Sequence, residues 1–176
     1  FSNKGYHVNP IIINPERKER LNDNLMLFFT GFTRFSADIQ SGVASLMSEK
    51  HKQLMKMLDL VDEAQCILED SNKDLDDFGR LLDTTWRLKR EVGSKITSGS
   101  IDELYERGLK AGALGGKLLG AGGGGFLLFY VQPDKQQSVR EEFSDLMEVP
   151  FKFENSGTRV IYYTPEAFDK SSSVER

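Results

Sequence analysis

Only one cysteine, Cys66, occurs among the 176 residues, so no disulfide can form within the chain. That scarcity suits a reducing cytoplasm, which is the expected location. Cys66 falls on an apolar helical stripe, so it is expected to be a small buried hydrophobe rather than a nucleophile. No run approaches the ~20 apolar residues of a membrane helix, and no membrane partner is expected. Positive charge is in short supply: 23 Lys and Arg stand against 27 Asp and Glu, a net charge of −4. That balance argues against a nucleic-acid surface, where clustered Lys and Arg neutralise phosphate. The two histidines, His7 and His51, are far apart and lack ligand-spaced partners, so no metal site is assigned. Initiating Met is missing too, and no signal-like apolar stretch opens the chain. The expectation is a piece of a longer protein, long enough to bury a core, with 39% hydrophobic and 28% charged residues.

Glycine is what the chain has in excess. Eight of its sixteen glycines fall at 112–125, immediately before the apolar run Phe-Leu-Leu-Phe-Tyr-Val at 126–131. Glycine loses the most backbone entropy on ordering, so this density needs a cause. Flexible linkers are padded with serine and do not lead straight into a buried-looking strand. An ordered turn between two strands is therefore expected over about 116–131.

Around that hairpin the remaining elements follow from periodicity. Residues 25–30, Leu-Met-Leu-Phe-Phe-Thr, read as a buried strand ending at Gly31. Leu54, Met57, Leu58, Val61, Ala64 and Leu68 predict an amphipathic helix with one core face. Residues 71–74 break it and supply caps, and Leu75, Phe78, Leu82 and Trp86 form the stripe of a second helix. Ser100 and Glu103 fit a capping box that starts a third helix, ending at Gly112. Pro133 and Asp134 open a fourth toward Leu146, with Val139 and Phe143 inward. Strands at 149–153 and 159–163 are expected to form a last hairpin through 154–158. The predicted class is α+β, a layer sandwich with an antiparallel sheet and helices mainly on one face.

Several motif readings fail on context. Gly120, Ala121, Gly122, Gly123, Gly124 and Gly125 satisfy G-x-G-x-x-G, yet a dinucleotide fingerprint needs a helix after the loop and a strand follows here. Asp77, Phe78 and Gly79 mimic a protein-kinase triplet but precede the loop, and no His-Arg-Asp segment exists. A Walker A reading of 111–118 has Ala111 for its first glycine and Leu118 for its Ser or Thr. A two-residue hairpin turn needs one or two glycines. Five in six positions suggest backbone packed against a ligand, or against a loop that holds one. Arg34 follows the first strand, where a guanidinium can meet an anion or form a surface salt bridge. Lys117 borders the loop and either contacts phosphate or snorkels. Lys89 and Arg90 read as a solvated helix face, and Asp74, Asp76 and Asp77 as acidic residues at a helix start.

Residues 25–34, 74–82, Trp-Arg-Leu-Lys at 86–89 and the Ala-Gly-Ala-Leu-Gly-Gly-Lys-Leu-Leu-Gly-Ala-Gly-Gly-Gly-Gly-Phe string from Ala111 resemble the C-terminal half of GHMP kinases. Within that superfamily they are most similar to D-glycero-D-manno-heptose 7-phosphate kinases. The resemblance implies a ferredoxin-like domain at 21–165, preceded by a linking segment at 1–20 and followed by a frayed tail at 166–176. It implies ATP and Mg²⁺ as cofactors, a sugar or sugar phosphate as acceptor, and an N-terminal domain of the same protein as partner. Positions 120–125 match the family's loop beside the phosphates, and Thr33 and Arg34 its acceptor side. The family's main phosphate loop and its aspartate are not in this chain, so no catalytic residue is assigned and the chain alone is expected to be inactive. Two other classes remain open: a freestanding module binding a small metabolite without chemistry, and a dimerisation domain with a glycine-tight core.

Overall fold

The computed structural model describes Gly5, Val8 and residues 10–31, 50–92, 99–120 and 124–155. Helix α1 (Pro15–Asp23) leads into strand β1 (Leu25–Phe29). Three helices follow, α2 (His51–Glu69), α3 (Asp76–Val92) and α4 (Gly99–Ala111). The glycine-rich hairpin is β2 (Gly115–Leu119) and β3 (Phe126–Tyr130). A single 3-10 turn (Pro133–Lys135), α5 (Gln136–Glu142) and the short β4 (Met147–Glu148) complete the described elements.

All pairings are antiparallel in the order β2-β3-β1-β4. With helices between β1 and β2 and between β3 and β4, this is the ferredoxin-like arrangement that was expected. Register aligns Met26 with Phe129 and Gly116, and Phe28 with Leu127 and Leu118. Strand alternation puts these residues on one face, and they are buried there beneath Trp86, Ile101, Tyr105 and Phe143. Phe143 lies 4.9 Å from Phe28 and 5.6 Å from Phe129, while Tyr105 stacks on Phe129 at 5.8 Å. Each fully buried aromatic of this kind contributes about 1.5–3 kcal/mol. The opposite face carries Leu27, Phe29, Lys117, Leu119 and Leu128, all only half-buried, and is covered at the end away from the turn, where Gly115 and Tyr130 are buried. Helices therefore cover mainly one side.

A second cluster gathers Leu21, Leu75, Leu82 and Tyr130. Helix α1, which sequence periodicity did not identify, begins with Asn14 accepting the Glu16 N–H at 2.9 Å and Pro15 in its first turn. Its buried Arg17 donates to the carbonyls of Ile67 (2.6 Å) and Lys73 (2.9 Å), tying α1 to the end of α2.

Several sequence expectations need correction. On α2, Leu54, Met57 and Leu68 of the expected stripe pack against the core clusters, but Leu58 and Val61 are 57% and 58% exposed, and the fully buried residue is Ile67. Periodicity finds a helix face but not how far the neighbours extend over it. Cys66 is exposed rather than buried, because it lies one position, about 100°, from Ile67. Ser100 lies inside α4, which starts at Gly99, so it is not the N-cap of a capping box. Helix α5 stops at Glu142, and Leu146 follows a turn. The strand expected at 149–153 is instead β4 at Met147–Glu148, with the Val149 N–H still donating to Leu27 O at 2.7 Å. Beyond that, Pro150 has no N–H to continue a ladder. The strand at 159–163, most of the preceding turn and the tail lie outside the described residues.

Candidate functional site

The glycine hairpin is where the two distinctive sequence segments converge. Its last register pair is Leu119 with Phe126, and Phe126 also pairs with Phe29 on β1, the two rings 5.2 Å apart. One residue beyond that pair, Thr30 donates both its N–H and its hydroxyl to the carbonyl of Gly125, each at 2.9 Å. Thr30 is buried, so its hydroxyl needs a partner, and a carbonyl with two lone pairs can accept both bonds. Gly125 has φ +107°, a conformation open to glycine and costly for other residues. Gly31 follows Thr30 at φ +73°. Thr30, three residues before Thr33, thus lies against the glycine turn. Thr33 and Arg34 themselves, with Ala121, Gly122 and Gly123, lie outside the described residues.

Part of the glycine density has a packing cause. A Cβ on Gly115 would come within 2.0 Å of the Gly79 carbonyl oxygen and 2.8 Å of the Asp83 nitrogen. Helix α3 therefore lies directly against the β2 backbone there. Gly112 closes α4, its N–H donating to Leu109 O at 3.1 Å while the Ala113 N–H donates to Gly108 O at 3.0 Å. The earlier part of the run serves helix ending and close approach; Gly120, Gly124 and Gly125 belong to the turn. Gly120 is exposed, and a Cβ there would meet nothing within 4 Å.

The contact at Gly115 also seats a polar group. Asp83 accepts the Tyr105 hydroxyl at 2.8 Å and the Arg87 Nε at 2.8 Å. Burial first, then the hydrogen bond and charge of Asp83, push the Tyr105 phenol far above its ordinary value, so it is a neutral donor. The Asp83 hydrogen bond and charge likewise raise the Arg87 guanidinium. At the strand end away from the turn, the Tyr130 hydroxyl accepts from Asn24 Nδ2 at 2.7 Å and donates to Asp76 at 3.1 Å. Gln132 Nε2 donates to the same carboxylate. Asp74 caps α3 through the Asp76 N–H at 3.0 Å, as an acidic helix start should. Asp76 has this second role, which its sequence position did not signal.

Lys117 is half-buried at the middle of β2, in register with Leu128 on the less covered face. Lys89, in the last turn of α3, is half-buried as well, and Arg90 pairs with Asp102 at 3.1 Å. The solvated helix face expected for these two basic residues is therefore replaced by packed ones. Burial lowers the Lys89 amine from the ordinary lysine range, and the charge of Lys117 lowers it further. Among the described residues no three His, Cys, Asp or Glu side chains converge as a metal site. No helix among them is long and apolar enough to cross a membrane.

The hairpin falls within a recognised pattern: the family model described as GHMP kinases C terminal matches residues 57–149, more than half the chain. The chain belongs to the GHMP kinase family. A curated relative, D-glycero-alpha-D-manno-heptose 7-phosphate kinase of Campylobacter jejuni, is 28% identical over 140 residues, covering 79% of this chain and 41% of the relative. Methanococcus jannaschii mevalonate kinase superposes with a TM-score of 0.64 at 24% identity, over 78% of this chain and 42% of that one. Streptococcus pneumoniae phosphomevalonate kinase, solved with phosphomevalonate and AMPPNP, gives 0.58 at 13% identity, over 71% of this chain and 39% of that one. At these identities the solved structures establish the shared fold. The GHMP domain described here spans about two fifths of each of these three proteins' lengths.

Proposed function

We propose that this chain forms the C-terminal part of an ATP-dependent sugar or sugar-phosphate kinase, with heptose 7-phosphate, phosphorylated at its anomeric hydroxyl, as the leading acceptor. Family membership supports the reaction class, and the Campylobacter jejuni relative supports the acceptor. The observation that supports the reading is the pair of bonds from Thr30 to Gly125, which joins the glycine turn to the strand end that precedes Thr33 and Arg34 in sequence.

Phosphoryl transfer asks a protein chiefly to position reactants and stabilise charge. The backbone at 120–125 would present N–H groups to phosphate oxygens, Arg34 would orient the acceptor and Lys117 would add positive charge. ATP, with Mg²⁺, supplies the transferable phosphoryl group when bound. The described residues assign no position to the metal, and proton acceptance from the acceptor hydroxyl falls to an aspartate outside this chain.

The test is an assay of the full-length protein with ATP against a panel of sugars and sugar phosphates. Turnover is expected with heptose 7-phosphate, and none from residues 1–176 alone. Failure of the full-length protein to phosphorylate any sugar refutes the kinase reading. Turnover by the 176-residue chain refutes its dependence on further protein.

A further inference from the structure

Among the described residues, Lys89 and Lys117 form no ion pair, and they sit on two elements that pass one another, α3 and β2. Helix α3 runs along β2 from the contact of Gly79 and Asp83 with Gly115. Six residues past Asp83 carry the helix about 9 Å to Lys89. Two residues past Gly115 carry the strand about 7 Å to Lys117. The two displacements run the same way, since Asp76 at the start of the helix bonds Tyr130 and Gln132 at the strand end away from the turn, and the helix then passes Gly115 at Gly79 and Asp83. Neither ammonium group forms an ion pair with a carboxylate among the described residues. The nearby acids are engaged elsewhere: Asp83 by Arg87 and Tyr105, and Asp102 by Arg90.

Two half-buried like charges repel each other and lose hydration, an arrangement that a bound dianion reverses. The strand carrying Lys117 runs two residues further to Leu119 and then into the open turn at Gly120. Lys117 alternates with buried Gly116 and Leu118, so it shares a face with Gly115, which α3 covers, and with Leu119 and Leu128, which stay half-buried and leave room for a ligand toward the turn.

We propose that Lys89 and Lys117 together form a binding site for a phosphate dianion, with Lys89 as the partner that completes a site Lys117 cannot make alone. Only the source of that phosphate, acceptor or nucleotide, rests on the kinase reading above. The pairing of the two lysines does not.

Acylation of the full-length protein by limiting acetyl N-hydroxysuccinimide ester, followed by peptide mass spectrometry, tests the site without requiring catalysis. Inorganic phosphate is the probe, with potassium chloride matched for ionic strength. Phosphate is expected to slow acylation of both lysines about threefold at twice its dissociation constant, because protection scales as one plus the ratio of ligand to that constant. Lys110 and Lys152 should be unaffected. In Lys117→Met, the protection of Lys89 should disappear while circular dichroism confirms an unchanged fold. Equal slowing by chloride, or protection of Lys89 that survives Lys117→Met, overturns the proposal. A sugar phosphate that protects where ATP does not assigns the site to the acceptor, and the reverse assigns it to the nucleotide. Protection without kinase activity leaves the site standing and removes the kinase reading. Kinase activity without protection does the opposite.

Discussion

Burial and the positive charge of Lys117 both hold the Lys89 amine below the ordinary lysine range, so the unfolded chain keeps a proton that the folded chain gives up more readily. The resulting penalty is complete below the folded value and is relieved as pH rises toward about 10.4, the unfolded lysine value. Lys89→Met should therefore be more stable than wild type at pH 7, by a margin that solvent screening of a partly exposed group keeps small. Urea titrations between pH 7 and 10 should show the difference shrinking as pH increases; a variant less stable throughout would sink the idea. Above about pH 10 the sign reverses for the tyrosines. Burial raises Tyr105 and Tyr130, so their contribution is present below the unfolded phenol value and is lost as pH climbs through the folded ones. Gly115 supplies a steric counterpart. Gly115→Ala would set a methyl against the Gly79 carbonyl and should cost about 3 kcal/mol. Gly120→Ala meets open space and pays only for its positive φ, about 1–2 kcal/mol. Equal urea midpoints for the two variants would show that close approach is not what requires Gly115.

At the level of elements, the join between β1 and the glycine hairpin is the feature to perturb. Thr30→Val keeps the shape and the backbone bond to Gly125 but removes the hydroxyl bond, a loss of about 1 kcal/mol. Hydrogen exchange should quicken at the Thr30 and Phe126 amides while Leu127 and Phe129 stay protected; uniform acceleration across β3 would mean the hydroxyl supports the whole sheet instead. This join was half legible in the sequence. Apolar runs bounded by Gly31 and by the glycine string marked β1, β2 and β3, because their alternation and boundaries are local signals. That Thr30 reaches Gly125 is a contact across 95 residues, and no local pattern carries it. The same limit explains α2, where Leu58 and Val61 repeat at core spacing yet stay exposed while Ile67 goes inside. Lys89 reads as part of a solvated helix face for a related reason. Spacing alone makes it a surface lysine, and only the approach of α3 to β2 brings it to Lys117.

Across the whole molecule, β3 belongs to both hydrophobic clusters: Leu127 and Phe129 pack in one and the adjacent Tyr130 in the other. Neither cluster can dissolve without exposing part of the same central strand, so unfolding should be a single transition. Trp86 fluorescence, which senses the larger cluster, and far-ultraviolet circular dichroism should give coincident urea curves. Separated midpoints would show that the clusters melt independently. The two bonds from Thr30 to Gly125 give this cooperativity a reach into the site. Both donors belong to one residue and both arrive at one oxygen, so sliding β1 along β3 by a single position would forfeit them together. The glycine turn therefore works as a gauge of strand alignment: substitutions that unsettle the sheet far from the turn should register there as a change in ligand affinity before they register as loss of the fold.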